Sequence, residues 1–334
     1  MPLKLAVAGF RHGHIRSLYE LAGCHPEVEV VAAAENDAPT RQALAGQVRF
    51  THDSCERMIE EVGCDAVAVG DYYARRGGLA IAALERGRHL IGDKPLCTRL
   101  DELDRIAALA RAGGLQVGCM LTMRDAAPTR GLRALVREGR LGQLHAISFG
   151  GQHPLMLGSR PAWYFEPGKH GGTLNDIGVH AFDALPWITG LEFGAINAAR
   201  SWNAFAPQFP HFRDGGQVML TMTGGCGVLG DVSYFSPDKA GYSLPLYWRL
   251  TLWGREGVAE TSATAREISL ALAGDEKLRS LPLPPGREGG YLEDFLAGVQ
   301  GRPAELDSAA VLRAARLALR IQQAADQGLR EVVL

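Results

Sequence analysis

Apolar and polar positions alternate along the first 120 residues in two periods. Short apolar runs at Leu3–Ala8, Val28–Ala34, Ala66–Val69, His89–Ile91 and Gln116–Gly118 have the length and composition of strands. Between them Ile15–Ala22, Ala38–Ala45, Cys55–Val62, Gly78–Glu85 and Leu103–Ala112 carry apolar residues at helical spacing. Regular strand–helix alternation predicts a parallel sheet covered by helices on both faces.

Beyond Met123 the pattern changes. A helix is expected over Thr129–Gly139, then a strand over His145–Gly151, and a loop rich in Pro, Gly and aromatics from His153 to Gly172. A helix over Asn175–Ile188 precedes strands in series at Ala195–Trp202, Gln217–Thr223, Val228–Tyr234, Trp248–Trp253 and Val258–Thr261. Glycine-containing turns join several of these, which predicts antiparallel neighbours. Helices around Glu288–Val299 and Ser308–Gln323 follow. At 334 residues two domains are expected, dividing near residues 120–124.

Composition narrows the class. Hydrophobic residues at 46% and charged residues at 22% are those of a globular chain, so disorder and fibrous repeats are excluded. A net charge of −2, with basic residues scattered, offers no footprint for nucleic acid. No apolar run approaches the ~20 residues of a membrane span. The opening MPLKLAVAGF runs directly into a strand with no signal-peptide pattern, and the expected location is cytoplasmic. Six cysteines without a CxxC pair fit reduced, buried thiols, and no metal site is expected.

Two junctions carry candidate cofactor chemistry. The first strand ends in Ala8-Gly9-Phe10-Arg11-His12-Gly13-His14-Ile15. A strand–glycine–helix turn places backbone N–H groups and a helix N-terminus against a pyrophosphate. Of a GxGxxG pattern only Gly9 matches, because Arg11 and His14 occupy the other glycine positions. The segment therefore suits a cofactor loop or an ordinary glycine turn. The second strand ends at Glu35, where a carboxylate would accept from both adenosine ribose hydroxyls and repel a 2′-phosphate. A solvated glutamate at a strand end is the plainer alternative.

Candidate catalytic groups lie in two further motifs. Gly92-Asp93-Lys94-Pro95 puts a lysine at the carboxyl end of a parallel strand, where open α/β sheets bind ligands. In Gly171-Gly172-Thr173-Leu174-Asn175-Asp176-Ile177-Gly178-Val179-His180-Ala181-Phe182-Asp183, helical spacing places Asp176, His180 and Asp183 on one face. A carboxylate one turn from an imidazole raises its basicity, as proton removal from an alcohol requires. A helix cap with a buried, hydrogen-bonded histidine fits the same residues.

Together, Asp93-Lys94-Pro95 and the Gly-Gly-x-x-x-Asp-x-Gly-x-His-x-x-Asp stretch some 80 residues later resemble the Gfo/Idh/MocA family, that of glucose–fructose oxidoreductase and inositol dehydrogenase. The resemblance covers nearly the whole chain. It implies a Rossmann domain over 1–122. Over 123–334 it implies an α+β domain with a large, mostly antiparallel open sheet that binds substrate and mediates oligomerisation. It also implies NAD as cofactor in preference to NADP, and hydride transfer at a hydroxyl-bearing carbon of a sugar, cyclitol or polyol. The expected assembly is a homodimer or homotetramer.

Carried over residue by residue, the resemblance makes Lys94, Asp176 and His180 the catalytic set, with His180 as general base and Lys94 holding the reacting hydroxyl. The expected cofactor contacts are Gly9, Phe10, Arg11, His12, Gly13, His14, Ile15, Glu35, Asp71, Tyr72, Arg76, Asp93, Lys94, Pro95 and Arg124. Arg160, Trp163 and Tyr164, in the 153–169 loop, join the catalytic set as substrate contacts. The family's Thr-Pro-x-x-x-His stretch is here Asp71-Tyr72-Tyr73-Ala74-Arg75-Arg76, after the strand Ala66–Val69, so Tyr72 replaces the proline and Arg76 the histidine. A family glycosidase that uses held NAD within one turnover, and a catalytically silent ligand-sensing regulator, are the rival readings.

Overall fold

A computed structural model describes residues 1–334. In chain order the elements of the first part are β1 (Leu3–Ala8), α1 (His14–Cys24), β2 (Val28–Ala34), α2 (Ala38–Ala43), α3 (Cys55–Glu61), β3 (Ala66–Val69), α4 (Tyr73–Glu85), β4 (His89–Gly92), α5 (Leu100–Gly113) and β5 (Val117–Cys119). There follow α6 (Ala127–Arg137), β6 (Leu144–Pro154), α7 (Val179–Thr189), β7 (Phe193–Trp202), β8 (Gly215–Met222), β9 (Gly227–Ser236) and β10 (Arg249–Gly254). The last elements are β11 (Gly257–Thr261), β12 (Glu267–Leu272), β13 (Arg279–Pro282), α8 (Gly290–Val299), α9 (Ser308–Gln327) and β14 (Arg330–Val333). No helix is long and apolar enough to cross a membrane.

Packing divides the chain into two compact units. The first holds Met1–Leu121, Pro161–Gly171 and Gly289–Arg316; the second holds Thr122–Arg160, Gly172–Glu288 and Leu317–Leu334. The segments 161–171 and 289–316, which sequence order groups with the second half, thus pack within the first unit.

In the first unit all five strands are parallel, in the order β2-β1-β3-β4-β5. The last four residues of β1 and all of β3 are buried, as expected for strands covered on both faces. On α5, Leu103, Ile106 and Ala110 form the buried stripe, and the helix stops at Gly114 in the left-handed conformation. The chain leaves β1 toward β2 on one side, while β3 lies on the other. This strand order makes the β1/β3 boundary a switch point, the usual ligand crevice of such sheets.

The second unit holds a nine-stranded sheet in the order β13-β12-β11-β10-β6-β9-β8-β7-β14. Its pairings are antiparallel except one, since β6 and β9 run parallel. The antiparallel neighbours expected across the glycine turns are found at β8/β9 and β10/β11, and the one parallel pair joins strands distant in sequence. Strands β12, β13 and β14 were not anticipated: β13 and β14 have only four residues each, too few to show a period, and both lie at sheet edges. One face of the sheet carries Ile147, Phe149, Val218, Leu220, Val228 and Leu250, all buried.

Candidate active site

In the first unit the sequence patterns converge on the switch point. Gly9 has φ +84°, and a Cβ there would lie 2.6 Å from the Cβ of Asp71, so only glycine lets the loop after β1 approach the one after β3. Helix α1 starts at Gly13 with no side-chain cap and no acidic residue in its first turn. Its leading N–H groups are therefore not met by a carboxylate, which fits a dinucleotide pyrophosphate. Phe10 and Ile15 turn their side chains into the core, so only their backbone can face a ligand.

The adenosine-side carboxylate is not laid open. Glu35 is fully buried, with Oε2 accepting from the Phe10 N–H at 2.5 Å and Oε1 from the Asp37 N–H at 2.7 Å. The Arg11 Nε lies 3.4 Å from Glu35 Oε1 and 3.3 Å from Asp71 Oδ1. Burial pushes the Asp71 carboxyl pKa up, and neighbouring Glu35 adds to the shift.

A second cluster lies beneath the loop. The Arg76 guanidinium is fully buried and donates to the carbonyls of Asp71 (3.1 Å) and Pro95 (3.0 Å) and to Asp93 Oδ2 (2.6 Å). Arg76 thus ties the ends of β3 and β4 together on either side of Lys94. Arg76, an expected cofactor contact, is buried with its guanidinium engaged by these three partners, and Asp93 is likewise buried. His12 Nδ1 sits 2.5 Å from Asp93 Oδ2, and its Nε2 is 3.2 Å from the Tyr73 hydroxyl, itself 2.8 Å from that of Tyr164. Burial pushes the His12 pKa down to about 3. Asp93 stays well below the usual carboxylate range because Arg76 and His12 outweigh the cost of burying it. Lys94 follows the end of β4, 3% exposed.

Trp163 and Tyr164 belong to this unit rather than to the substrate-domain loop expected from sequence. They stack on each other at 4.1 Å, pack on Tyr73, and the Trp163 indole donates to the Arg11 carbonyl at 3.3 Å.

In the second unit the Asp176/His180 segment departs from a plain helix. Leu174–Gly178 is a π-helical turn leading into α7, a feature concentrated at functional sites. Gly172, at φ +93°, leaves room for Gln322, whose Oε1 accepts from the N–H groups of Leu174 (2.9 Å) and Asn175 (3.3 Å). Asp176 accepts from the Tyr234 hydroxyl at the end of β9. Asp183, expected on the face of His180, is held bidentately by Arg124 at 2.8 and 2.6 Å. Arg124, an expected cofactor contact, is thus committed to α7, and its guanidinium lies 5.8 Å from the ring of Trp187.

Around Asp176 and His180 stand residues that pattern reading passed over. His153 ends β6, its Nδ1 3.3 Å from the Gly151 carbonyl and its Nε2 3.4 Å from the Tyr247 hydroxyl. Those partners assign the ring proton to Nδ1 and make Tyr247 the donor to Nε2. Burial raises the Tyr247 pKa, and Tyr242 and Asp176 add to it. Trp248 lies edge-on to both His180 (5.8 Å) and His153 (6.1 Å). Arg160, an expected substrate contact, donates to the carbonyls of Pro154 and Leu155 and lies 5.3 Å over the Tyr234 ring. The only sequence signal for Tyr247 and Trp248 was an aromatic at the edge of a strand, which packing explains equally well.

Known proteins match in the same two parts. Residues 3–120 match the model of an oxidoreductase family with an NAD-binding Rossmann fold, and residues 129–260 that of the GFO/IDH/MocA C-terminal domain. The 1,5-anhydro-D-fructose reductase of Ensifer adhaerens is 30% identical over 48% of this chain and 49% of its own. The inositol 2-dehydrogenase 3 of Saccharopolyspora erythraea is 26% identical over 88% of this chain and 84% of its own. The chain spans about half the length of several curated relatives it matches. The solved inositol dehydrogenase homolog of Azotobacter vinelandii, complexed with NAD+, superposes with a TM-score of 0.82 at 17% identity, over 100% of this chain and 97% of that one.

Proposed function

Because the chain belongs to the Gfo/Idh/MocA family of oxidoreductases, we propose that it is an NAD-dependent dehydrogenase or reductase acting at a hydroxyl-bearing carbon of a sugar, cyclitol or related polyol. The first unit takes the cofactor and the second the substrate. The observation that carries this reading is the state of the motif residues. Lys94, just past the end of β4, is 3% exposed, whereas a lysine without a task is ordinarily on the surface, and His180 is 9% exposed beside Trp248.

Bound NAD would supply the hydride acceptor, or in its reduced form the donor. The chain's own residues bind, orient and move the proton. The backbone from Gly9 to Gly13 and the start of α1 would hold the pyrophosphate, and Glu35 would face the adenosine ribose. His180 would remove the proton of the reacting hydroxyl, and Lys94 would steady the negative charge left on its oxygen. Asp176, fixed by Tyr234, would orient the substrate beside His180. The neighbouring aromatic groups Tyr234, Tyr247 and Trp248 suit the C–H face of a ring-shaped polyol.

The test is a panel of sugars, inositols and linear polyols with NAD+ and NADP+, read by nicotinamide absorbance. Turnover of a cyclic polyol supports the reading. Release of sugar from a glycoside without net absorbance change would point to the glycosidase alternative. Saturable sugar binding with no turnover on any substrate would favour the sensor.

A further inference from the structure

Two departures from the family pattern come together in the first unit. Arg11 stands where the glycine template has its second glycine, and Tyr72 where the family has proline. The Arg11 guanidinium lies 5.0 Å over the Tyr72 ring, while Lys169 Nζ is 5.1 Å from that ring. From this shelf Arg11 reaches Glu35 and Asp71 at 3.4 and 3.3 Å. Its side chain is 18% exposed and that of Glu35 is 0% exposed, so of the two charges only Arg11 reaches the surface.

Glu35 is the group that should reject a 2′-phosphate, yet both of its oxygens already serve backbone N–H groups. Other charges at this end are partly committed. Arg41 donates to the Glu35 carbonyl at 2.5 Å, Arg75 pairs with Glu56 and lies 3.5 Å from Asp71, and Asp37 caps α2. A phosphate arriving at the end of β2 therefore meets a guanidinium before it meets the carboxylate. A guanidinium binds phosphate oxygens through charge-assisted hydrogen bonds.

Building on the cofactor reading above, we propose that Arg11, shelved on Tyr72, is a specificity-determining residue that lets the site accept NADP beside NAD. Glu35 sets the direction of the preference, and Arg11 limits its size.

The experiment is calorimetric titration of the full chain with NAD+ and NADP+, comparing the wild type with Arg11→Gln, Arg11→Lys and Tyr72→Ala. Arg11→Gln is expected to weaken NADP+ by about tenfold or more, and NAD+ by less than about threefold, on the loss of one charge-assisted contact. Arg11→Lys, which keeps the charge, retains most NADP+ affinity, and Tyr72→Ala moves in the direction of Arg11→Gln by a smaller factor. A ratio unchanged in Arg11→Gln, or no NADP+ binding by the wild type while NAD+ binds, overturns this inference and leaves the dehydrogenase reading standing. A wild type that binds neither dinucleotide overturns both.

Discussion

His12 is neutral at neutral pH, with its pKa pushed down to about 3 by burial, whereas in the unfolded chain it titrates near 6.5. A lowered basic group works against the fold as acid is added, because the unfolded state binds a proton that the folded state refuses. Stability is therefore expected to decline as pH falls from about 6.5 toward 3. Denaturation midpoints measured across that range should show a shallower slope in His12→Gln, and identical slopes would refute the assignment. Arg76→Ala strips the cationic partner from a fully buried Asp93, leaving it beside neutral His12, and should cost ~3–5 kcal/mol in urea denaturation. Glu35→Ser should narrow the gap between NAD+ and NADP+ affinities, because it removes a negative charge beside the ribose site. Calorimetry showing the gap widened would sink that role for Glu35. For turnover, His180→Ala is expected to lower kcat by about 100- to 10,000-fold with little change in cofactor affinity. Lys94→Ala should also be impaired, and the double variant barely worse than the poorer single, as for groups acting as a unit. Near-full activity in either single variant would remove that residue from the catalytic set.

Among the elements, the π-helical turn before α7 depends on a partner distant in sequence. Gln322, on the last helix, serves the Leu174 and Asn175 N–H groups that a local capping residue would ordinarily serve. Space for it exists only because Gly172 lacks a side chain: a Cβ there would sit 2.1 Å from Gln322 Cδ, on a backbone at φ +93°. Gly172→Ala should therefore destabilise the protein by ~1–3 kcal/mol and lower activity, since it disturbs the segment that carries Asp176. Gln322→Ala should cost about 1–2 kcal/mol through orphaned N–H groups. Thermal melts test both, and unaltered melting of Gly172→Ala would show that the turn does not need the glutamine. The helix itself was legible from Asn175 to Ile188, but its wider first turn was not. Periodicity over so few residues cannot separate 3.6 from 4.4 residues per turn, and Gln322 carries no local signature.

For the whole molecule, the second face of the nine-stranded sheet exposes Met219 (47%), Leu229 (60%) and Trp253 (52%). Met219 and Leu229 are register partners on β8 and β9, so they form one apolar patch. We propose that this face is covered in a homodimer or homotetramer. Light scattering should give a multiple of the monomer mass, reduced by Leu229→Glu, and a monomer at micromolar concentration would refute the assembly. The sequence by itself determined the parallel first sheet, the positions of most helices and strands, and the motif lysine, aspartate and histidine. These are legible because hydrophobic period and glycine junctions are local properties, read within a dozen residues. Only the tertiary structure decided that Arg76 pairs with Asp93 and Arg124 with Asp183. It alone set Trp163 and Tyr164 against the glycine loop, and Arg11 beside Glu35. A charged side chain's role depends on which opposite charge the fold brings within a few ångströms, and those partners lie 17 to 59 residues away in the chain. No local pattern encodes that distance, because burial and pairing are settled together when the chain closes on itself.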